Sequence, residues 1–212
     1  MKEVEARIKN IGIVPVIVIE DATKAAELAK ALSAGDVNVA EVTYRTAAAS
    51  EAIRNMKRSC PEMLVGAGTV LSVDMAKDAI ASGADFIVSP GLNPKVVKYC
   101  LNQEIAIIPG VMTPTEIEAA RELGLRTIKF FPAQAAGGAK MLKALSGPYK
   151  DVSFMPTGGI NADNISEYLK LSCVFACGAS TLATADDIEN CCWDKITGMC
   201  KEMRMLVKEV RE

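Results

Sequence analysis

Residues 64–90, LVGAGTVLSVDMAKDAIASGADFIVSP, contain two short apolar runs separated by a longer amphipathic stretch. The runs LVGAGTV (64–70) and FIVSP (86–90) have the length and composition of buried strands. The stretch SVDMAKDAIASG (72–83) has helical spacing, begins with Ser72 as an N-cap candidate and ends in glycine. A strand, a helix and a second strand in this order predict two parallel strands joined by a right-handed crossover.

The same alternation continues in both directions along the chain. Amphipathic patterns such as 22–35 separate further apolar runs, and a last long helix is predicted over 191–212. The additional strand candidates are VPVIVI (14–19), VAEVTY (39–44), AIIPG (106–110), TIKFFP (127–132), SFMPTG (153–158) and VFACG (174–178). Eight strands with intervening helices predict one α/β domain over 1–212, a (β/α)₈ TIM barrel. A doubly wound sheet is the alternative, but the first turn, IVIEDATKA, lacks its usual GxGxxG motif.

Composition narrows the classes of partner. The formal net charge of -2 and the scattered basic residues argue against binding to nucleic acid or to anionic membranes. The longest apolar runs are far shorter than the roughly 18 residues of a membrane span, and the first residues lack a signal-peptide core. We therefore expect a cytoplasmic protein.

The chain contains seven cysteines and no histidine. Free, buried thiols are the favoured interpretation of the cysteines, and a zinc site is disfavoured because histidine ligands are missing. The absence of histidine excludes a histidine general base and a Ser-His-Asp triad. Acid/base chemistry must then depend on carboxylates, lysine, tyrosine or cysteine.

The second strand candidate contains charged residues among apolar ones. Side chains alternate along a strand, so Glu41, Thr43 and Arg45 share one face while Val42 and Tyr44 share the other. With Val42 facing the helices, Glu41 and Arg45 are expected inside the barrel. A structural Glu41–Arg45 ion pair and a catalytic acid remain equally open interpretations.

The sixth strand candidate, TIKFFP, places Lys129 among Ile and Phe residues. A lysine rarely lies in such a strand without a partner or a task. Burial beside Phe131 favours the neutral amine, the nucleophile that forms a Schiff base. A structural lysine held by a carboxylate such as Glu41 is the alternative.

Glycine-rich turns follow several strands, where a barrel of this class has its active site. PTGGI (156–160) and CGAS (177–180) end strands seven and eight, the usual position of a phosphate site, and Ser180 could donate a hydrogen bond there. The glycines of GAGTV (66–70), SPG (89–91) and PGVMT (109–113) are expected to permit close approach of a ligand. Thr69 is a candidate donor to a carboxylate.

Together, AEVTYRT, VGAGTV, IVSPGL, IPGVMTPTE, KFFPA, FMPTGGI and CGAS resemble the family of 2-keto-3-deoxy-6-phosphogluconate (KDPG) aldolases, which also covers 4-hydroxy-2-oxoglutarate (KHG) aldolases. Their order and spacing match across almost the whole chain. The resemblance implies a class I aldolase on a (β/α)₈ barrel, usually a homotrimer, with a keto-acid substrate and without a metal or other cofactor.

The resemblance also assigns roles to individual residues. It implies Lys129 as the Schiff-base lysine and Glu41 as the acid/base residue. The substrate would contact Arg45, Thr69, Pro90, Phe131 and Thr157, and its phosphate would contact Gly158, Gly159, Gly178 and Ser180. Family members often have a second glycine where this chain has Ala179, so we expect the added methyl group to narrow the phosphate site or to shift its backbone.

This interpretation predicts imine formation on Lys129, cleavage of the C3–C4 bond assisted by Glu41, and release of pyruvate and an aldehyde. Two rival hypotheses stay open. The first is a sugar-phosphate epimerase or synthase that uses Glu41 without an imine. The second is a non-catalytic sensor of a phosphorylated metabolite, which would not need a buried lysine.

Overall fold

The computed structural model describes residues 1–211 and contains eight parallel strands arranged as a barrel. Neighbouring strands in the sheet follow the order β7-β6-β5-β4-β3-β2-β1-β8. Parallel bridges from Phe154 to Val174 and from Thr157 to Gly178 join β7 to the β8 region and close the barrel. The (β/α)₈ fold predicted from the alternating pattern is confirmed. The strands are β1 (Ile13–Ile17), β2 (Val39–Thr43), β3 (Leu64–Gly68), β4 (Phe86–Ser89), β5 (Ala106–Val111), β6 (Thr127–Phe130), β7 (Ser153–Pro156) and β8 (Cys177–Ala179).

Helices surround the barrel and connect its strands. A short 3₁₀ turn at Ala22–Lys24 precedes α2. The helices are α1 (Lys2–Ile11), α2 (Ala25–Ala34), α3 (Ala49–Ser59), α4 (Val73–Ala81), α5 (Pro94–Asn102), α6 (Pro114–Glu122), α7 (Gly138–Ser146), α8 (Ile165–Leu169), α9 (Ala185–Glu189) and α10 (Trp193–Arg211). The sequence patterns did not single out α1, α7 or α9, and α10 begins two residues later than the pattern 191–212 indicates.

Helix α1 lies at the amino-terminal end of the barrel. Its buried residues, Ile8 and Ile11, belong to the main core, and the Thr127 hydroxyl at the start of β6 donates to Glu5 Oε2 at 3.2 Å. The helix ends at Gly12, which has a φ of 78° and therefore a left-handed conformation that suits glycine. This end of the barrel is thus covered by a helix.

The register of the strands decides which side chains point into the barrel. Glu41 in β2 is aligned with Val16 in β1, and Lys129 in β6 is aligned with Gly110 in β5 and Met155 in β7. Aligned residues of neighbouring parallel strands point to the same side of the sheet. Strands β2 and β6 are not neighbours in the barrel, yet Lys129 Nζ lies 3.6 Å from Glu41 Oε1. Both side chains therefore project inward.

The last strand differs from its sequence prediction. The apolar run VFACG (174–178) predicted a strand, but β8 begins at Cys177, where the backbone N–H donates to Gly12 O at 3.0 Å. Burial extends through Val174, Phe175 and Ala176, so the apolar run cannot mark where pairing to β1 starts.

All seven cysteines are free, as predicted, but their burial varies. Cys100, Cys177 and Cys200 are buried, whereas Cys191 is exposed, so the expectation of uniformly buried thiols was wrong. Cys191 lies between α9 and α10, although the sequence pattern predicted it as the first residue of the helix over 191–212. Within residues 1–211, every helix is too short or too polar to cross a bilayer.

Candidate active site

A buried lysine and a buried glutamate face each other inside the barrel. Lys129 Nζ lies 3.6 Å from Glu41 Oε1, and the two residues are 5% and 1% exposed. Glu41 Oε2 is also buried, and within the described residues it has no hydrogen-bond partner. An orphaned carboxylate oxygen in such a position is costly unless a substrate group or a water molecule binds to it. Glu41 is therefore paired to the lysine through one oxygen and has the other available.

The Glu41 carboxylate occupies space that a glycine provides. A Cβ atom added to Gly68 at the end of β3 would lie 2.2 Å from Glu41 Oε1. Gly110 has a similar role for the backbone, because a Cβ there would lie 2.1 Å from Pro90 O. The expectation that these glycines admit a ligand is corrected: both are required by close packing within the protein.

The surroundings of the lysine amine are partly aromatic. Lys129 Nζ lies 5.0 Å from the centre of the Phe131 ring, within the distance of a cation–π contact. Pro90 follows β4, and its carbonyl packs against Gly110, which is aligned with Lys129. Both Phe131 and Pro90 are partly exposed, which is consistent with walls at the mouth of the site.

Arg45 does not lie inside the barrel, contrary to the prediction from strand alternation. Strand β2 ends at Thr43, and the chain turns over residues 44–48, so alternation no longer decides the direction of the side chain. Arg45 is exposed at the rim, and its Nε donates to Thr69 Oγ1 at 3.3 Å. Arg45 and Thr69 are thus in contact with each other, as their predicted shared role requires. They lie at the rim of the barrel and not beside the buried Lys129–Glu41 pair, and Arg45 does not contact Glu41 within the described residues.

Thr157 lies beside the last strand of the barrel. It is buried, and its Oγ1 lies 2.5 Å from where a Cβ on Gly178 would stand, so Gly178 allows the two strands to approach. Gly178 is thus needed for this packing. Ser180 is exposed immediately after β8, at the end of the barrel that contains Arg45.

The turn after β7 contains Gly158 and Gly159, with φ angles of 100° and 78°. The Gln134 N–H donates to Gly158 O at 3.0 Å, and Asn164 Nδ2 donates to Gly159 O at 2.8 Å. Because the C=O and N–H of a trans peptide point in opposite directions, the N–H groups of Gly159 and Ile160 point away from these two donors. A turn held in this way can present N–H groups to an anion.

A tyrosine supports this turn from the helix layer. The Tyr168 hydroxyl donates to Gln134 Oε1 at 2.7 Å, and burial raises the pKa of Tyr168 to about 12. The hydroxyl is therefore protonated at neutral pH and holds the Gln134 side chain, which packs against Gly159. Sequence patterns did not indicate Gln134, Asn164 or Tyr168, since ordinary polar residues after strands give no distinct signal.

Ala179 does not narrow the interior, contrary to the expectation from its methyl group. Gly178 points inward toward Thr157, so the next residue along β8 points to the helices. Ala179 is 1% exposed and belongs to the main core. Its methyl group therefore packs outside the barrel.

The barrel contains a buried amine and, beside it, a carboxylate with one oxygen that has no partner among residues 1–211, and an arginine lies at the rim where β2 ends. A lysine in this setting can attack a carbonyl carbon, and the adjacent carboxylate can move the protons that imine formation requires. The fold and the site define a lysine-dependent, class I aldolase.

The chain belongs to the KDPG and KHG aldolase family, whose model matches residues 4–199. The 2-dehydro-3-deoxy-phosphogluconate aldolase of Haemophilus influenzae is 42% identical over 207 residues, which are 98% of each chain. The KDPG aldolase of Legionella pneumophila, solved with pyruvate as a covalent carbinolamine intermediate, is 42% identical with a TM-score of 0.87, covering 90% of this chain and 92% of that one. The Zymomonas mobilis enzyme solved with 3-phosphoglycerate is 38% identical, with a TM-score of 0.88 and 95% coverage of both chains.

Proposed function

We propose that this chain cleaves 2-dehydro-3-deoxy-6-phosphogluconate to pyruvate and glyceraldehyde 3-phosphate through a Schiff base on Lys129, with 4-hydroxy-2-oxoglutarate as a second substrate. The observation that carries the proposal is the buried Lys129–Glu41 pair at 3.6 Å, in which Glu41 Oε2 has no hydrogen-bond partner among residues 1–211. The Haemophilus influenzae relative is named for this phosphorylated keto acid, and the Legionella pneumophila structure contains pyruvate as a carbinolamine.

The reaction begins with binding of the keto-acid carboxylate at the rim. Arg45 and Thr69 bind it, which orients the C2 carbonyl toward Lys129. Glu41 takes a proton from the Lys129 ammonium group, and the resulting neutral amine adds to C2 to give the carbinolamine. Glu41 then returns that proton to the carbinolamine hydroxyl, which departs as water. The product of these steps is a protonated imine.

Cleavage then uses the imine as an electron sink. The Glu41 carboxylate takes the proton of the C4 hydroxyl, the C3–C4 bond breaks, and its electron pair passes into the enamine as the aldehyde departs. Protonated Glu41 returns the proton to C3. Hydrolysis of the resulting imine releases pyruvate and regenerates the lysine amine.

The distal phosphate of the substrate is assigned to the turns after β7 and β8. Gly158 and Gly159 supply N–H groups there, Ser180 supplies a hydroxyl, and Gly178 permits the close packing beneath them. Thr157, Pro90 and Phe131 line the space between this end and the lysine. The outward direction of Ala179 leaves the phosphate site at full width.

Two properties of the whole protein belong to the proposal. A homotrimer is proposed because the family resemblance implies one, and the cytoplasmic location expected from the sequence is kept as part of the proposal. Leu71 and Met112, which follow β3 and β5, are 54% and 42% exposed and offer apolar surface to a neighbouring subunit. Light scattering after gel filtration measures the assembly, and a monomer at working concentration would overturn this part.

The decisive experiment is borohydride trapping with pyruvate, followed by intact-mass and peptide mass spectrometry. One reduced pyruvyl group on Lys129 is the expected result, and Lys129→Met should remain unlabelled. Glu41→Gln should retain the fold and lose most turnover. An adduct on another lysine would support a class I aldolase but show that Lys129 is not its Schiff-base lysine. No adduct in folded protein would reject the imine and favour an epimerase or synthase.

A further inference from the structure

Tyr44 lies between Thr43, the last residue of β2, and Arg45, yet the proposed reaction gives it no role. Its half-buried ring packs against the core, and its hydroxyl donates to Asp78 Oδ2 at 3.0 Å. The same hydroxyl lies 3.1 Å from Ser50 Oγ, and Ser50 also donates to Asp78. Burial is the largest cause of the raised pKa of Tyr44, so its hydroxyl remains a donor at neutral pH.

These contacts connect the loop after β2 to two helices. Ser50 belongs to α3 and Asp78 to α4, and the Tyr44 N–H also donates to Gly68 O at 2.7 Å. Consecutive residues of this loop therefore contact the β3–β4 crossover at two points: Arg45 contacts Thr69 at its start, and Tyr44 contacts Asp78 within α4.

The residues that would bind the carboxylate need such support. Arg45 is exposed, and within the described residues its side chain makes one hydrogen bond, to Thr69. Thr69 has a φ of 58°, a left-handed conformation that is unfavourable for a β-branched residue and persists where the surroundings impose it. Ordering a long, exposed arginine at the moment of binding reduces affinity, and a loop fixed beforehand reduces that cost.

We propose that Tyr44 is a positioning residue whose contact with Ser50 and Asp78 fixes the β2–α3 loop so that Arg45 and Thr69 are preorganised for the substrate carboxylate. The inference rests on the proposed function, which assigns the carboxylate to Arg45 and Thr69. Tyr44 itself does not touch the substrate, because its side chain points toward α3 and α4.

The test is Tyr44→Phe, which keeps the ring and removes the hydroxyl. We expect KM for keto-acid cleavage, and the pyruvate concentration that gives half-maximal borohydride trapping, to increase about three- to tenfold, with kcat within about twofold of the original. Asp78→Asn and Ser50→Ala should change KM in the same direction, and they provide the test if Tyr44→Phe does not fold.

Tyr149→Phe is the matched control, because the Tyr149 hydroxyl donates to Glu118 Oε1 at 3.0 Å, a similar bond on the helix layer. Tyr149→Phe should lose about as much thermal stability as Tyr44→Phe and leave KM unchanged. A KM effect equal to that of Tyr44→Phe would identify a general stability effect and overturn the inference.

A double-mutant cycle separates the inference from the proposed function. With Arg45→Met as the background, Tyr44→Phe should cause no further increase in KM, because the positioned group is already gone. If the effects of the two substitutions on KM are additive, the inference about Tyr44 is overturned and the proposed function is not. The same conclusion follows if Arg45→Met raises KM and Tyr44→Phe does not. If Arg45→Met leaves the pyruvate concentration for half-maximal borohydride trapping unchanged, the proposed carboxylate site is overturned instead.

Discussion

Gly68→Ala tests whether the position of the Glu41 carboxylate controls turnover. The added Cβ would lie 2.2 Å from Glu41 Oε1 and 2.8 Å from Cδ. Restoring an ordinary contact of about 3.5 Å requires the carboxylate to move by roughly 1 Å. A displacement of this size at a reacting group can lower the rate about 100-fold, equivalent to about 2.7 kcal/mol in the activation free energy. We therefore expect kcat to fall about 100-fold while KM changes little, because Arg45 and Thr69 are untouched.

The assay measures pyruvate release with an NADH-dependent dehydrogenase as the coupling enzyme, together with the rate of borohydride trapping and the melting temperature. The control is Gly198→Ala in α10, where an added Cβ meets nothing within 4 Å. That variant should keep its kcat and gain up to about 1 kcal/mol of stability from helix propensity. Folded Gly68→Ala protein with nearly unchanged kcat would refute the reasoning, because Glu41 would then tolerate the displacement or have no part in the chemistry.

Two further predictions concern the phosphate end and the buried thiols. Ser180→Ala should raise KM for the phosphorylated substrate about tenfold and leave KM for 4-hydroxy-2-oxoglutarate unchanged. Steady-state kinetics with both substrates checks this, and equal effects would remove Ser180 from the phosphate site. Burial raises the pKa of Cys100 from 9.0 to about 11, so the unfolded chain loses this proton first as the pH increases. The free energy of unfolding should therefore decrease between about pH 9 and 11. Urea titrations over this range should find a smaller decrease in Cys100→Ala than in the original protein. An equal decrease in both proteins would contradict the role of the buried Cys100 thiol.

The fold was predictable because six of the seven crossovers between strands repeat one local pattern with clear strand and helix periods. Helix α1 escaped detection because only Ile8 and Ile11 are buried along it, and their burial depends on the barrel end that they cover. Helix α7 escaped because it begins at Gly138 directly after Gly137, and two adjacent glycines, here both with positive φ, are typical of a loop. Such helices are stabilised by tertiary packing, which a local pattern does not contain.

The site was predictable to the extent that strand alternation applies. It placed Glu41 and Lys129 on inward positions, and it failed at Arg45, which lies two residues beyond the end of β2. It also placed Tyr44 on the helix side, but the contact with Asp78 joins residues 34 positions apart and could not be read from spacing. The roles of Gly68 and Gly110 were missed for the same reason, since the atoms that they accommodate come from other strands.

The chain has no histidine, and in the proposed cycle one carboxylate, Glu41, accepts and returns the protons. Glu41 can do so only if it is close to the amine and still has an oxygen for the substrate. The structure satisfies both conditions: Oε1 lies 3.6 Å from Lys129 Nζ, and Oε2 has no partner in the described residues. A longer side chain at position 68 would displace the carboxylate, and a second donor to Oε2 would occupy the oxygen that takes the C4 hydroxyl proton. The absence of a Cβ at Gly68 and the absence, among the described residues, of a donor to Glu41 Oε2 are therefore requirements of the same chemistry.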